Sequence, residues 1–269
     1  MLLKTLLAAF IFAAGITAAH AQGTLVEKLT PEEIRLIGER VFENECGAKD
    51  GNLVTWNEGE DFLSLGIGHF IWYPAGGDKT FLESFGRFIE YAKADGEKIP
   101  LWLDKEPFPP CPWSSRGDFL NAGPDPRLSE LKDLLKNTKS VQAEFIAKQL
   151  EDSLPLLIES APAGTRDKIT LQFNRVASTF QGICALADYL NFKGLGIARS
   201  ESYQGKGWGL LQVLEGMRDE NEAPDALSEF TRAAKIVLEE RVKNSPPGRN
   251  EQKWLPGWKK RVNKYLDQL

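Results

Sequence analysis

Residues 30–70 read TPEEIRLIGERVFENECGAKDGNLVTWNEGEDFLSLGIGHF and change from a helical pattern to a strand pattern. Thr30-Pro31-Glu32-Glu33 is a capping box with proline at the first helical position, so a helix should begin there and run to about Cys46. Its apolar stripe would be Ile34, Ile37, Val41 and the edge of Phe42. After Asp50, short β-prone runs separated by glycine and asparagine predict a small antiparallel sheet, the only clear β region of the chain.

Helical spacing dominates beyond this stretch. It returns over 78–94, and a Pro- and Trp-rich passage, 100–126, reads as a long ordered loop. Further helical segments are expected near 128–136, 140–160, 165–192, 205–217, 224–243 and 256–267, with Pro155 among the residues that mark helix ends. The pattern predicts an α+β fold with one core: a single domain over 22–269, with a β lobe at about 50–75 and a helical lobe at about 128–269.

The first 21 residues are typical of a cleaved signal peptide. Lys4 precedes an apolar run, and Ala19-His20-Ala21 supplies small residues at the cleavage site. We therefore expect a periplasmic or secreted protein, with retention of the run as an anchor as the alternative. No later stretch has the roughly 20 apolar residues of a membrane span, so stable membrane insertion is not expected.

Composition narrows the possible chemistry. The chain has two histidines, and His20 would leave with the signal peptide, so any histidine-based site must use His69. We expect no metal site and no cofactor, and the net charge of −5 argues against binding nucleic acid. Three cysteines in an oxidising compartment predict one pair and one free thiol; Cys46 with Cys111 is the favoured pairing, leaving Cys184 buried.

Glu45 is the carboxylate that helix geometry singles out. Eleven residues after Ile34, at about 100° per residue, it returns to within about 20° of the apolar stripe, whereas Glu43 faces away. Partial burial favours a protonated carboxyl, so Glu45 is a candidate general acid. The alternative is that Glu45 rims the core or pairs with an arginine.

The order of parts after Glu45 resembles the lysozyme-like superfamily, in particular phage-type muramidases. There, a glutamate ends the first helix, a hairpin carries a second acid and a hydroxyl residue, and a Gly-Ile-Gly-His segment closes the hairpin. The match covers about residues 41–70, with a helix-to-hairpin stretch longer here by a few residues. The resemblance implies the lysozyme-like fold, with Glu45 as the acid that protonates the glycosidic oxygen.

The resemblance also assigns the neighbouring residues. Glu58 would be the second carboxylate, with Glu60 and Asp61 as competitors, and Ser64 would help to orient the attacking water. His69 would hold the hairpin against the helix near the acid instead of acting as a base. The two glycines of the closing segment would permit close backbone approach; they are Gly66 and Gly68.

Later segments add candidates for substrate contact. Residues 203–212 are similar to the Gly-Leu-x-Gln element of goose-type lysozymes and lytic transglycosylases, and 255–261 to the Gly-Leu-x-x-Arg-Arg helix start of phage endolysins. Either segment could instead be an ordinary capped helix. Polar and aromatic residues suited to sugars would be the binding residues: Asn57, Trp56, Tyr73, Gln204 and Gln212.

The sequence thus predicts an exported muramidase that cleaves β-1,4 bonds of peptidoglycan, its polysaccharide partner. A lytic transglycosylase or a chitosanase on the same fold remains open, as does a non-catalytic saccharide-binding protein. A Cys46/His69 peptidase is a more remote alternative, because Cys46 ends a helix and so lacks the help of the helix dipole.

Overall fold

The first helix forms where the capping box predicts it. The computed structural model describes residues 28–77, 79 and 81–267, so the predicted signal peptide lies outside the described residues. Helix α1 spans Pro31–Cys46. The Thr30 hydroxyl accepts from the Glu33 amide at 3.2 Å, and the Glu33 carboxylate accepts from the Thr30 amide at 2.8 Å. Gly47 ends the helix with φ of 59°, a left-handed conformation that glycine adopts at little cost.

A three-stranded antiparallel sheet follows, as predicted. Its strands are β1 (Val54–Thr55), β2 (Leu63–Leu65) and β3 (Phe70–Trp72), in that order. Val54 lies opposite Leu65, and Leu65 lies opposite Phe70. Gly66 turns the chain from β2 towards β3 with φ of 70°, and a Cβ there would lie 2.3 Å from the Gln142 side chain. Glycine at this position therefore leaves room for the Gln142 side chain.

The next helix is shorter than its sequence pattern. Helix α2 spans Phe85–Ala94, so the helix predicted from residue 78 begins seven residues late; Asp78 and Thr80 lie outside the described residues. The start is displaced because Ser84 bonds to β3: its amide donates to Ile71 O at 3.1 Å and its hydroxyl accepts from the Ile71 amide at 3.0 Å. These contacts with the sheet outweigh the helical periodicity.

The Pro- and Trp-rich passage is an ordered connection, as expected, with one short helix, α3 (Arg116–Leu120). It braces the sheet. The Trp72 indole donates to Pro109 O at 2.9 Å, and the Cys111 amide donates to Tyr73 O at 2.8 Å. The passage ends at Pro126, where the next helix begins.

The second half is helical. Its helices are α4 (Pro126–Asn137), α5 (Lys139–Ser160), α6 (Arg166–Val176), α7 (Phe180–Lys193), α8 (Leu210–Gly216), α9 (Ala226–Asn244) and α10 (Leu255–Asn263). The architecture is therefore mostly helical with a small antiparallel sheet, as the α+β prediction required. Helix α1 packs chiefly against α5 and also against α7. No helix in the described part of the chain is long and apolar enough to cross a membrane.

Three details of the predicted helices are wrong. Pro155 lies inside α5 and is exposed there, where water can satisfy the carbonyl that has lost its amide donor. The segment 165–192 is two helices, because the Thr179 hydroxyl caps α7 by accepting from the Gly182 amide at 3.1 Å. Residues 202–207 form a second small sheet, β4 (Ser202–Tyr203) with β5 (Lys206–Gly207), so the first sheet is not the only β region.

The expected disulfide between Cys46 and Cys111 is absent, and all three cysteines are buried and free. Cys46 contacts the turn after β2, where its thiol donates to Gly66 O at 3.6 Å. Cys111 lies beside Tyr73 and Pro74, just beyond the other end of β3. The length of β3 separates the two thiols.

Candidate functional site

A cleft of about 450 Å³ separates the first sheet and the loop after it from helices α5 and α7. Aromatic and aliphatic side chains line the end near Phe81 and Leu82, both of them exposed. The polar groups of the wall include Glu60, His69, Asn191, Lys193, Glu201 and Arg241. The cleft thus combines an apolar part with carboxylates and cations, which suits an amphipathic ligand.

Glu45 lies one side chain behind this wall. Its Oε1 accepts from Arg261 Nη2 at 2.5 Å and from Asn191 Nδ2 at 3.1 Å. Its Oε2 lies 3.5 Å from His69 Nδ1. Two of these contacts, Asn191 and His69, belong to the cleft wall, while Glu45 does not. The pairing with an arginine that the sequence left open is therefore present, and it distinguishes the two carboxylate oxygens.

A buried aspartate fixes Arg261. Asp188, in α7, is 1% exposed, and it accepts from Arg261 Nε at 3.0 Å and Arg261 Nη2 at 2.8 Å. Tyr265 and Asn44 complete its shell, at 2.6 and 2.9 Å. Burial favours the neutral acid, but the charge of Arg261 and these hydrogen bonds outweigh it and lower the Asp188 pKa. The segment resembling the endolysin helix start thus brings Arg261 to Glu45.

His69 occupies a strained backbone position between two carboxylates. Its φ is 49°, which costs a non-glycine residue about 1–2 kcal/mol. Nδ1 faces Glu45, and Nε2 is buried without a hydrogen-bond partner among the residues that the structure describes. The histidine is also close enough to Glu60 for its charge to lower the pKa of that carboxyl. His69 therefore links the end of α1 to the hairpin.

Glu60 is the hairpin carboxylate that reaches the cleft. It is half-buried, and this burial raises its pKa. Asn57 Nδ2, at 3.0 Å, and the Ser64 hydroxyl, at 3.5 Å, donate to its Oε2 and oppose the rise. Glu58 and Asp61 are exposed and lie off the cleft wall. Of the three hairpin acids singled out from the sequence, Glu60 is therefore the one on the cleft wall.

The aromatic candidates lie in the core and not on the cleft wall. Trp56 is buried, and its indole donates to Glu60 O at 2.7 Å. Tyr73 is also buried, and its hydroxyl accepts from the Phe81 amide at 2.9 Å. Neither residue presents a face to the cleft. Their position supports the hairpin that carries Glu60 and does not provide a platform for sugars.

The two glutamines of the later segment brace loops. Gln204 turns the chain between β4 and β5, and its amide donates to Asn244 O at 3.2 Å. Gln212 accepts from the Gly209 amide at 2.9 Å and donates to Gly196 O at 3.0 Å. Both side chains are off the cleft wall, whereas Trp208 of the same segment lines it.

Sequence reasoning missed polar residues of this region, among them Asp188, Asn191, Lys193 and Arg241. A signal existed for three of them. Asp188, Asn191 and Lys193 interrupt or end the otherwise apolar run of α7, ICALADYLNFK (183–193), and polar residues at core positions are often functional. Nothing local distinguishes Arg241 from other polar helix residues, because its position depends on the packing of α9.

The thiol chemistry considered for Cys46 finds no support. Burial, together with the charge of Glu45, raises the pKa of Cys46 to about 12, and Cys46 does not line the cleft. A reactive thiol requires a lowered pKa and access. The described residues also contain no group of three or more His, Cys, Asp or Glu side chains able to hold a metal ion.

Comparison of this chain with family models, curated proteins and solved structures finds no match.

Proposed function

We propose that this chain is an exported, lysozyme-like glycoside hydrolase that cleaves β-1,4 bonds of peptidoglycan. The arrangement of three residues carries the proposal: His69 and Glu60 on the cleft wall, with Glu45 behind His69. Two carboxylates, one from the end of α1 and one from the hairpin, flank a histidine on the cleft wall. Hydrolysis of a glycosidic bond requires two such carboxyl groups with different environments.

Glu45 acts as the acid in this proposal. Arg261 and Asn191 bind Oε1, which leaves Oε2 as the atom that holds the transferable proton. Because Asn191 and His69 are the cleft-lining residues in contact with Glu45, the proton must pass to the leaving oxygen at this point of the wall. His69 keeps the carboxyl group oriented. The resemblance to phage-type muramidases assigns the second carboxylate to Glu58. In this proposal, Glu60 takes that role instead.

Glu60 supplies the second carboxylate, which activates water or stabilises positive charge on the sugar. Asn57 and Ser64 then act through Glu60, because both donate to its Oε2. This replaces their predicted roles as a sugar-binding residue and a water-orienting residue.

A saccharide-binding protein without catalysis is the second candidate. The ion pair of Glu45 with Arg261, and the position of Glu45 behind the cleft wall, favour it. Product analysis after incubation with purified peptidoglycan separates the candidates. Hydrolysis releases muropeptides with reducing ends, a lytic transglycosylase releases anhydro products, and a binding protein retains the polymer without releasing fragments.

Exchange of Glu60 for glutamine should lower the rate of muropeptide release by about 100-fold or more, because an amide neither activates water nor carries charge. Glu58→Gln is the matched control: it makes the same change two residues away on an exposed side chain, and should leave the rate within about twofold. Rates are measured as new reducing ends per unit time. A large loss of rate in Glu58→Gln, with little change in Glu60→Gln, would instead assign the second carboxylate to Glu58.

The pH dependence should report on the ionisation of Glu60. Activity requires the carboxylate form, so the rate should fall as the pH drops through the raised pKa of Glu60. Asn57→Ala removes a hydrogen bond that lowers this pKa, so the acid limb of the profile should move to higher pH. Glu58→Gln should leave the limb in place. An unmoved limb, or a shift to lower pH, in Asn57→Ala would contradict this role.

A further inference from the structure

Lys193 is a buried amine without a hydrogen-bond or ion-pair partner among the residues that the structure describes. It is the last residue of α7, is 8% exposed and lines the cleft. Its Nζ lies 3.8 Å from the centre of the Phe192 ring and 3.7 Å from that of Trp258. Aromatic faces attract a cation but do not accept its three hydrogen bonds.

The carboxylates around Lys193 are bound by other groups. Glu251 accepts from Arg241 at 2.8 and 2.9 Å and from Tyr203 at 2.8 Å. Glu45 is bound by Arg261 and Asn191. Glu201 accepts from three consecutive backbone amides, those of residues 196–198. Each nearby carboxylate thus has its own donors, and none lies within ion-pair distance of Lys193.

An unpaired buried ammonium is costly. Burial, reinforced by the charges of Arg241 and Arg261, holds the Lys193 pKa well below its usual range, against the opposing charges of Glu251 and Glu45. Removing a charged group from water is unfavourable unless a counter-charge and hydrogen bonds replace the solvent. An anion that entered the cleft would supply both. The neighbouring guanidinium groups would add to the attraction.

We propose that Lys193 binds a carboxylate group of the substrate. This inference rests on the proposed function and gives the class of glycan: an amino-sugar polymer that carries carboxyl groups, in preference to a neutral polymer such as chitin. In peptidoglycan, the carboxylate is either the lactyl group of the muramic acid or belongs to the peptide attached to it. Asn191, which contacts Glu45, and Lys193 both line this wall, and Glu45 is close enough for its charge to oppose the lowering of the Lys193 pKa, so the carboxylate belongs to a sugar close to the cleaved bond.

Binding to defined oligosaccharides tests the inference. The Glu45→Gln variant is used so that the ligand is not cleaved during the measurement. Calorimetry measures its affinity for a tetrasaccharide of alternating N-acetylglucosamine and N-acetylmuramic acid with free lactyl carboxylates. The matched ligand has these carboxyls reduced to alcohols. We expect at least tenfold tighter binding of the carboxylated ligand. A third ligand, with peptides on the lactyl groups, identifies the source: tighter binding of it than of the free acid assigns the carboxylate to the peptide.

Lys193→Met retains most of the side-chain stem between the two rings and removes the ammonium. In the Glu45→Gln background, it should abolish the preference for the carboxylated ligand and change the affinity for the reduced ligand by less than about twofold. Binding of the carboxylate should also take up protons, seen as a dependence of the binding enthalpy on the buffer. A purely structural lysine would give no such signal. Lys193→Gln serves if the methionine variant unfolds.

Equal affinities for the carboxylated and reduced ligands would overturn the inference. This comparison uses the protein with Lys193 intact and does not depend on the folding of a Lys193 variant. The proposed function has a separate outcome. Cleavage of both ligands at equal rates by the wild-type chain would keep the hydrolase and reject the role of Lys193. Lysine-dependent binding without cleavage would keep the carboxylate site and reject the hydrolase.

Discussion

Glu45→Gln should reduce the release of muropeptides from peptidoglycan by about 10²–10⁴-fold, the range typical of a lost general acid. Glutamine retains an oxygen that can accept from Arg261 and Asn191, as Glu45 Oε1 does. It has no proton to transfer at the position of Oε2. The variant should therefore fold and bind glycan while losing catalysis. The measurement is the rate of new reducing ends on the same substrate preparation as the wild type.

Glu43→Gln is the matched control for this prediction. Glu43 lies on the same helix two residues earlier, is exposed and pairs with Lys264 at 3.2 Å. Its loss should leave the rate within about twofold, because exposed ion pairs contribute little. Thermal unfolding of both variants confirms that the fold is intact. A Glu45→Gln protein that retained the wild-type rate would remove Glu45 from the mechanism and leave Glu60 as the hairpin carboxyl on the cleft wall.

Arg261→Met should lower the free energy of unfolding by about 3–5 kcal/mol, because it leaves Asp188 buried without its counter-charge. Asp188 is 1% exposed, and two of its four hydrogen bonds come from Arg261. Activity should fall as well, since Glu45 loses the donor that fixes Oε1. Urea unfolding at neutral pH measures the difference. Lys260→Met, an exposed neighbour on α10, is the control and should cost less than about 0.5 kcal/mol.

The same variant has a pH signature. The Asp188 pKa is lowered in the folded protein, so its contribution to stability is present above the unfolded pKa and is lost as the pH falls through the folded one. Without Arg261, burial alone would raise that pKa. The stability gap between wild type and Arg261→Met should therefore narrow at acid pH. Adding Asp188→Asn to Arg261→Met should restore part of the loss, and failure of this rescue would reject the unpaired charge as its cause.

Local signals predicted much of the fold. The capping box at Thr30 correctly places α1, and the glycine-punctuated β runs correctly predict a small antiparallel sheet. The errors arise where a distant contact outweighs the local pattern. Residues 81–84 are not helical, because Ser84 bonds to Ile71 of β3. The two cysteines remain apart because they lie at opposite ends of that strand.

The candidate site was predictable to a similar extent. The periodicity of α1 identifies Glu45 as a partly buried carboxylate, and the segment around His69 brings that histidine to it. Alternation along the hairpin groups Glu58 with Glu60 but cannot choose between them, since the choice depends on which one faces α5 and α7. The pairing of Glu45 with Arg261 joins residues 216 positions apart, a distance at which no local pattern carries information.

The ion pair between Glu45 and Arg261 limits when the site can form while the chain is being synthesised. The carboxylate leaves the exit tunnel with α1, but its guanidinium partner is on α10, so the pair cannot form until Arg261 has emerged, 216 residues later. A fragment that ends before residue 255 would contain Glu45, His69 and Glu60 and still lack the group that orients the acid. Closing so long a loop is also slow, which makes formation of the site a late event in folding.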